Sequence, residues 1–132
     1  MSGKLTDQNE VLLRQIHPNF YSGGKPASDR FRPQPSDVGR MSVDRGALTT
    51  AAESHHLYTS GGRASAAVFG VSVAEFSDED LSSFADPVPA TSETDPNPAH
   101  AIVDYTPFPE DQWKLISKRL ALKAVKRGQL HP

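Results

Sequence analysis

Arg14, His17 and His100 are the side chains of this chain best suited to hold an anion and move protons beside it. Imidazole titrates close to neutral pH and can serve as acid or base. A guanidinium stays charged and forks onto phosphate or carboxylate oxygens. His17 and His100 each lie at the edge of an apolar run, next to a proline-bearing loop. Two such histidines with an arginine could work on a phosphodiester, and the competing role is that of hydrogen-bonded structural histidines. His55 and His56 are adjacent, so on a helix they point about 100° apart and share a metal poorly. The chain has no H-E-x-x-H and no histidine pair at i, i+4. A metal site could be assembled only in space, from His17, His100 and Asp104, so metal-free chemistry with no resident cofactor is expected.

A second constellation is the order Arg14, Ser42, Glu75, with each residue on an expected strand. A third is the segment Asn19 to Gly39, where Lys25, Arg30 and Arg32 interleave with aromatics including Phe31. Basic plus aromatic composition suits a nucleotide or single-stranded nucleic acid, which makes Lys25, Arg30, Phe31 and Arg32 the candidate binding residues. The alternative is that the aromatics pin the loop to the core and the charges are solvated.

The order Arg14, Ser42, Glu75 resembles the Arg–Ser–Glu arrangement of ADP-ribosyltransferase toxins. That resemblance implies NAD as a substrate: an arginine on its phosphates, a serine supporting the nicotinamide pocket, and a glutamate stabilising an oxocarbenium-like transition state. The chain departs from that family in lacking a Ser-Thr-Ser triplet and a Glu-x-Glu pair, so the acceptor-activating carboxylate has no counterpart. More broadly, LLRQIHPNF, RMSV and DPNPAHAIV resemble small bacterial proteins of unknown function that carry Arg-x-x-His-Pro, a Ser-Val strand and Pro-Ala-His. The likeness spans roughly residues 11–105. It implies an architecture and a bacterial origin, and it adds weight to Arg14, His17, Ser42 and His100 without naming a reaction.

The elements that must position these residues follow from patterning. Ala66 to Phe76 reads as a strand with a bulky face (Ala67, Phe69, Val71, Val73) and a small face (Val68, Gly70, Ser72, Ala74). Both faces are largely apolar, which predicts a central strand rather than an edge. Gly70 marks a bulge or a close backbone approach. Thr50 and Glu53 have capping-box spacing for a helix over Ala51 to Tyr58, ended at Gly61-Gly62. Arg40 to Asp44 is an expected strand before that helix, giving a strand–helix–strand unit. Val11 to Ile16 reads as a strand halted by Pro18, with a helix capped by Asp7 as the alternative. Ser77 and Asp80 form a capping pattern, with Leu81 and Phe84 facing inward. Pro98 to Tyr105 is a strand. After Pro109, the stripe Trp113, Ile116, Leu120, Ala124, widened by Leu115, Leu122 and Val125, predicts an amphipathic helix. Basic residues crowd its last turn before Gly128.

With 132 residues, one domain spanning 1–132 is expected, with frayed ends at 1–8 and 129–132 and long loops at 19–39 and 85–98. A hydrophobic fraction of 36%, with 11 prolines and 9 glycines, points to a small core carrying long loops. The net charge of −2 provides no global basic field for nucleic acid. Cysteine is absent, which excludes disulfides, thiolate zinc sites and a cysteine nucleophile. No apolar run approaches a membrane span and the first residues lack a leader-like apolar stretch, so a cytoplasmic protein with no membrane role is expected.

The expected fold is therefore α+β. It has a small mixed sheet of three to five strands, packed by the C-terminal amphipathic helix and one or two short helices. Two functions follow. One is a small metal-free enzyme of bacterial toxin or defence type, directed at a nucleotide or phosphodiester, by ADP-ribosyl transfer or RNA cleavage. The other is a non-catalytic protein-interaction module. The enzyme requires Arg14, His17 and His100 to converge within about 8 Å on a shared concave pocket, whereas the module requires an exposed apolar patch larger than a few hundred Å². The oligomeric state is left open.

Overall fold

The computed structural model describes residues 3–132. In chain order its elements are β1 (Val11–Ile16), β2 (Tyr21–Ser22), β3 (Lys25–Pro26), β4 (Arg40–Arg45), α1 (Ala51–Ser60), β5 (Ala67–Ser72), α2 (Val73–Ser77), β6 (Ser82–Ala85), β7 (His100–Asp104) and α3 (Glu110–Arg127). Three short 3₁₀ turns, Pro18–Phe20, Ser28–Phe31 and Pro35–Asp37, punctuate the stretch between β1 and β4. The main sheet has the order β5-β1-β4-β7-β6, and β2-β3 form a separate ribbon. The class is α+β, and every neighbouring pair of strands is antiparallel. The β4–α1–β5 unit carries the chain over β1, so β4 and β5 run in the same direction with β1 between them.

Strand alternation sorts the side chains onto two faces. Leu12, Ile16, Met41, Val43, Phe69, Val71, Ala101 and Val103 form the core face, joined by Phe31, Tyr105 and the Ile116, Leu120, Ala121 and Ala124 side of α3. Trp113 is half-buried at the start of α3. Its indole donates to the carbonyls of Tyr105 and Phe108, which satisfies the one polar group of an otherwise apolar ring. On the opposite face Leu13, Val68 and Ile102 are buried as well, and α1 is tied to the sheet there by polar contacts such as Gln15 with Ser54.

Several sequence expectations change. The strand predicted from Ala66 to Phe76 stops at Ser72, because Ser72 and Glu75 form a capping box that opens α2. The strand is buried along its whole length, as its two apolar faces required. It is nevertheless the last strand of the sheet, and its outer edge is buried by the chain end, where Leu130 and Val68 and then Val68 and His131 exchange main-chain hydrogen bonds. The helix expected after Ser77 is replaced by a turn. Asp80 adopts a left-handed backbone (φ 59°), and the chain enters β6, which pairs with β7. Leu115 and Leu122 leave the core stripe and are exposed.

Of the segments expected to fray, residues 1 and 2 lie outside the described residues, and the rest is anchored at both ends. Lys4 bridges Phe84, Leu5 is buried, and the 130–131 segment lies on β5. The 19–39 segment is less irregular than expected, holding β2, β3 and the three short turns, whereas 86–98 is a loop pinched by paired main-chain bonds between Val88 and Asn97. Gly70 is a close approach. A Cβ there would come within 2.5 Å of Val11 and 2.8 Å of Leu130.

Candidate functional site

Arg14 sits on the core face of β1, opposite Phe69. Its Nε donates to the Arg30 carbonyl (2.7 Å) and its Nη1 to the Ser42 carbonyl (2.8 Å). Burial lowers its hold on its proton relative to the ordinary value, and the negative charge of Asp37 offsets part of that effect. Next to it, the Tyr105 hydroxyl donates to the Phe31 carbonyl, and burial raises that phenol well above its ordinary range. Arg14 and Tyr105 thus clamp the 30–31 main chain from inside the core. Arg14 spends its Nε and Nη1, and Tyr105 its hydroxyl, on protein carbonyls.

Ser42 meets Arg14 only through its main-chain carbonyl. Glu75 is elsewhere. In place of a strand end it occupies the first turn of α2, where its carboxylate accepts from the Ser72 amide (2.8 Å) and from Arg127 (2.5 Å). Burial alone would raise this carboxyl, but the Arg127 and Ser72 bonds outweigh it and hold it below its ordinary value. Phe69 lies opposite Arg14 and Ser72 opposite Val11, so Glu75 is displaced along the sheet by roughly 10 Å or more. The Arg–Ser–Glu order therefore does not become a shared pocket.

The histidines also part. His17 follows β1, and its Nδ1 accepts from the Asn19 amide (3.1 Å) while its ring meets Phe20 edge-on. His100 opens β7 opposite Asp44, on the face away from Arg14. Its Nδ1 lies 2.9 Å from the Asp86 carbonyl and 3.2 Å from the Asp86 carboxylate. Since Asp44 pairs with Leu13, His17 stands four residues, or roughly 13 Å, further along β1 and two strands across.

The basic–aromatic segment is likewise used internally. Arg30 pairs with Asp29, bonds Gln34 and stacks 3.7 Å from the Phe20 ring centre. Phe31 is fully buried, and Arg32 donates to the buried Ser117 hydroxyl of α3 (3.2 Å). Lys25 alone among these candidates projects from the surface, on β3. The interleaving of charges and aromatics is a docking device that fixes the segment to α3.

Two further arrangements join residues that are distant in the sequence. On the far face, Gln15 donates to Ser54 (2.8 Å), Ser54 to Asp44 (2.6 Å), Asn97 to Asp44 (2.9 Å) and Ser65 to Gln15 (2.8 Å). This network ties α1 and the 86–98 loop to the sheet. No local motif announces it, because its members come from five separate segments. The second is a groove of about 500 Å³ between α3 and the turn before β6, lined by Asp78, Glu79, Asp80, Asp111, Leu115 and Arg119 among others. Arg119 is bound by both Glu79 oxygens, which leaves Asp78, Asp80 and Asp111 as unneutralised charge around an exposed leucine. Leu122, 72% exposed, continues the line along α3 from Leu115, 59% exposed.

The signal for this surface was in the sequence. Leu115 and Leu122 are two turns apart and lie opposite the Trp113–Ile116–Leu120–Ala124 stripe, so a single apolar stripe cannot hold them all. Among the described residues no helix is long and apolar enough to cross a membrane, and no three His, Asp or Glu side chains are grouped to hold a metal ion. No family model, curated protein or solved structure matches this chain.

Proposed function

We propose that this chain is a non-catalytic protein-interaction module of the cytoplasm, docking a partner on the outer face of α3 and the acidic groove at its N-terminal half. The observation that carries the reading is the pair Leu115 and Leu122, exposed on a helix whose core face is already complete. Large apolar side chains held in water beside a concave, charged rim fit a docking surface. The carboxylates of Asp78, Asp80 and Asp111 select a partner segment carrying both leucines and basic residues.

The nucleotide- or phosphodiester-directed enzyme keeps one supporting observation. Arg14 is a half-buried cation with no carboxylate in ion-pair contact among the described residues. Against it stands the engagement of Arg14, His17 and His100 with separate partners.

Fluorescence anisotropy with a labelled helical peptide of leucines and lysines tests the module, with a thermal-shift series of NAD, ADP-ribose, mononucleotides and short RNA beside it. The expected result is peptide binding that is lost in Leu115→Asp, with no shift from any nucleotide. A nucleotide-induced shift that disappears in Arg14→Lys would replace this reading with the enzyme.

A further inference from the structure

We infer that the partner seated on this face is a second copy of the same chain, with two α3 helices packed antiparallel about a two-fold axis. The inference rests on the docking reading above and names its occupant. At 100° per residue, Asp111, Leu115, Arg119, Leu122 and Lys126 all fall within roughly 40° of one line on the outer surface of α3. The line is self-complementary when reversed. An axis passing between Lys118 and Arg119 sets Leu115 against Leu122 of the other copy, and Asp111 against its Lys126. A two-fold interface requires this property, because each contact must occur twice with the roles exchanged.

The charges agree with that direction. The first turn of α3 is acidic, with Glu110 and Asp111 ahead of Lys114 and Lys118, and is reinforced by Asp78 and Asp80 across the groove. The second half is basic, with Lys123 and Lys126 unpaired among the described residues and Arg127 held by Glu75. A parallel pair would stack like on like, whereas an antiparallel pair places each basic half over the other copy's acidic groove. Near the axis, Arg119 is already neutralised by Glu79, and Lys118 lies on the flank, where its ammonium reaches water. The other route to self-association, pairing of sheet edges, is occupied. Residues 3–5 hydrogen-bond along β6, and Leu130 and His131 along β5. Two leucines per copy with a polar rim make a small contact, at the transient end of interface sizes.

Sedimentation equilibrium over a wide concentration range reads the outcome. The wild type is expected to show a reversible monomer–dimer equilibrium, with the dissociation constant raised at least about tenfold by Leu122→Asp. Leu122 is exposed, so an unchanged thermal midpoint will show that the variant folds. Asp111→Lys and Lys126→Asp should each weaken the dimer, and the double variant should recover it, because the swapped charges again face each other. A monomer at every concentration, or a dimer indifferent to Leu122→Asp, overturns the inference. So does a double variant no better than its parents. If the wild type stays monomeric yet the leucine–lysine peptide binds in the groove, the copy is the wrong occupant and the docking reading stands. If neither associates, both fall.

Discussion

Arg14 shows how a residue type chosen for chemistry can serve structure. A guanidinium in a strand otherwise apolar on that face must find acceptors, and here it finds the Arg30 and Ser42 carbonyls. These join the segment between β3 and β4 to the sheet from beneath. Truncation to alanine would leave two part-buried carbonyls without their donor and a void beside Phe69. Arg14→Ala is expected to cost about 2–4 kcal/mol in urea unfolding, and Arg14→Lys somewhat less, since one ammonium cannot reproduce the fork. A loss below about 0.5 kcal/mol would mean the clamp is not structural. That Arg14 would be partly buried was legible from its apolar neighbours. That its partners would be carbonyls was not, because they come from residues 16 and 28 positions away.

At the scale of elements, the sharpest lesson is the junction of β5 and α2. Val73 and Phe76 continue a strand alternation and equally fit a helix at i, i+3, so apolar pattern alone leaves the boundary open. The Ser72–Glu75 spacing decides it. Ser72 accepts from the Glu75 amide, and Glu75 accepts from the Ser72 amide, so the chain turns into helix. The same pattern at Ser77 and Asp80 failed, since Leu81 and Ser83 are buried and β6 gains a whole ladder with β7. Local capping lost there to long-range pairing, which a single sequence does not display. The strands β4 and β7 and the helix α3 were legible because their patterns and ends were marked, whereas at β1 a helix capped by Asp7 stayed open as the alternative.

Glu75 also gives the α2 cap a pH dependence. Its folded-state value lies below its ordinary value of 4.5, so the folded chain binds this proton more weakly than the unfolded chain. Its contribution is complete above that ordinary value and is lost as pH falls through the lower folded one. Glu75→Gln keeps an acceptor for the Ser72 amide and removes the charge facing Arg127. Below about pH 4.5 the variant's stability should fall less steeply with pH than the wild type's, with a cost at neutral pH under about 1 kcal/mol for a partly hydrated pair. Parallel acid limbs in the two denaturation curves would sink the assignment.

For the whole molecule, the two chain-end segments determine how it can meet another copy. An antiparallel sheet of five strands has two open ladders, and open ladders invite pairing. Here residues 3–5 occupy the ladder of β6 through Leu5 to Ser83 and Ala85 to Gly3, and Leu130 and His131 occupy that of β5 through Val68. Sheet-to-sheet association would first have to strip one of these segments, losing main-chain bonds and the burial of Leu5. Association through the outer face of α3 strips nothing, because Leu115 and Leu122 are already in water. The two routes leave different marks on amide exchange. If copies meet through α3, raising the concentration into the dimer range should slow exchange over residues 111–126 and in the 78–80 turn, while the amides of β5 and β6 keep their monomer rates. If instead the chain-end segments yield, exchange at Val68 and Leu5 should accelerate before dimer forms, and protection should reappear along one strand edge. That second pattern would place the contact surface on the sheet and leave the leucines of α3 without a partner.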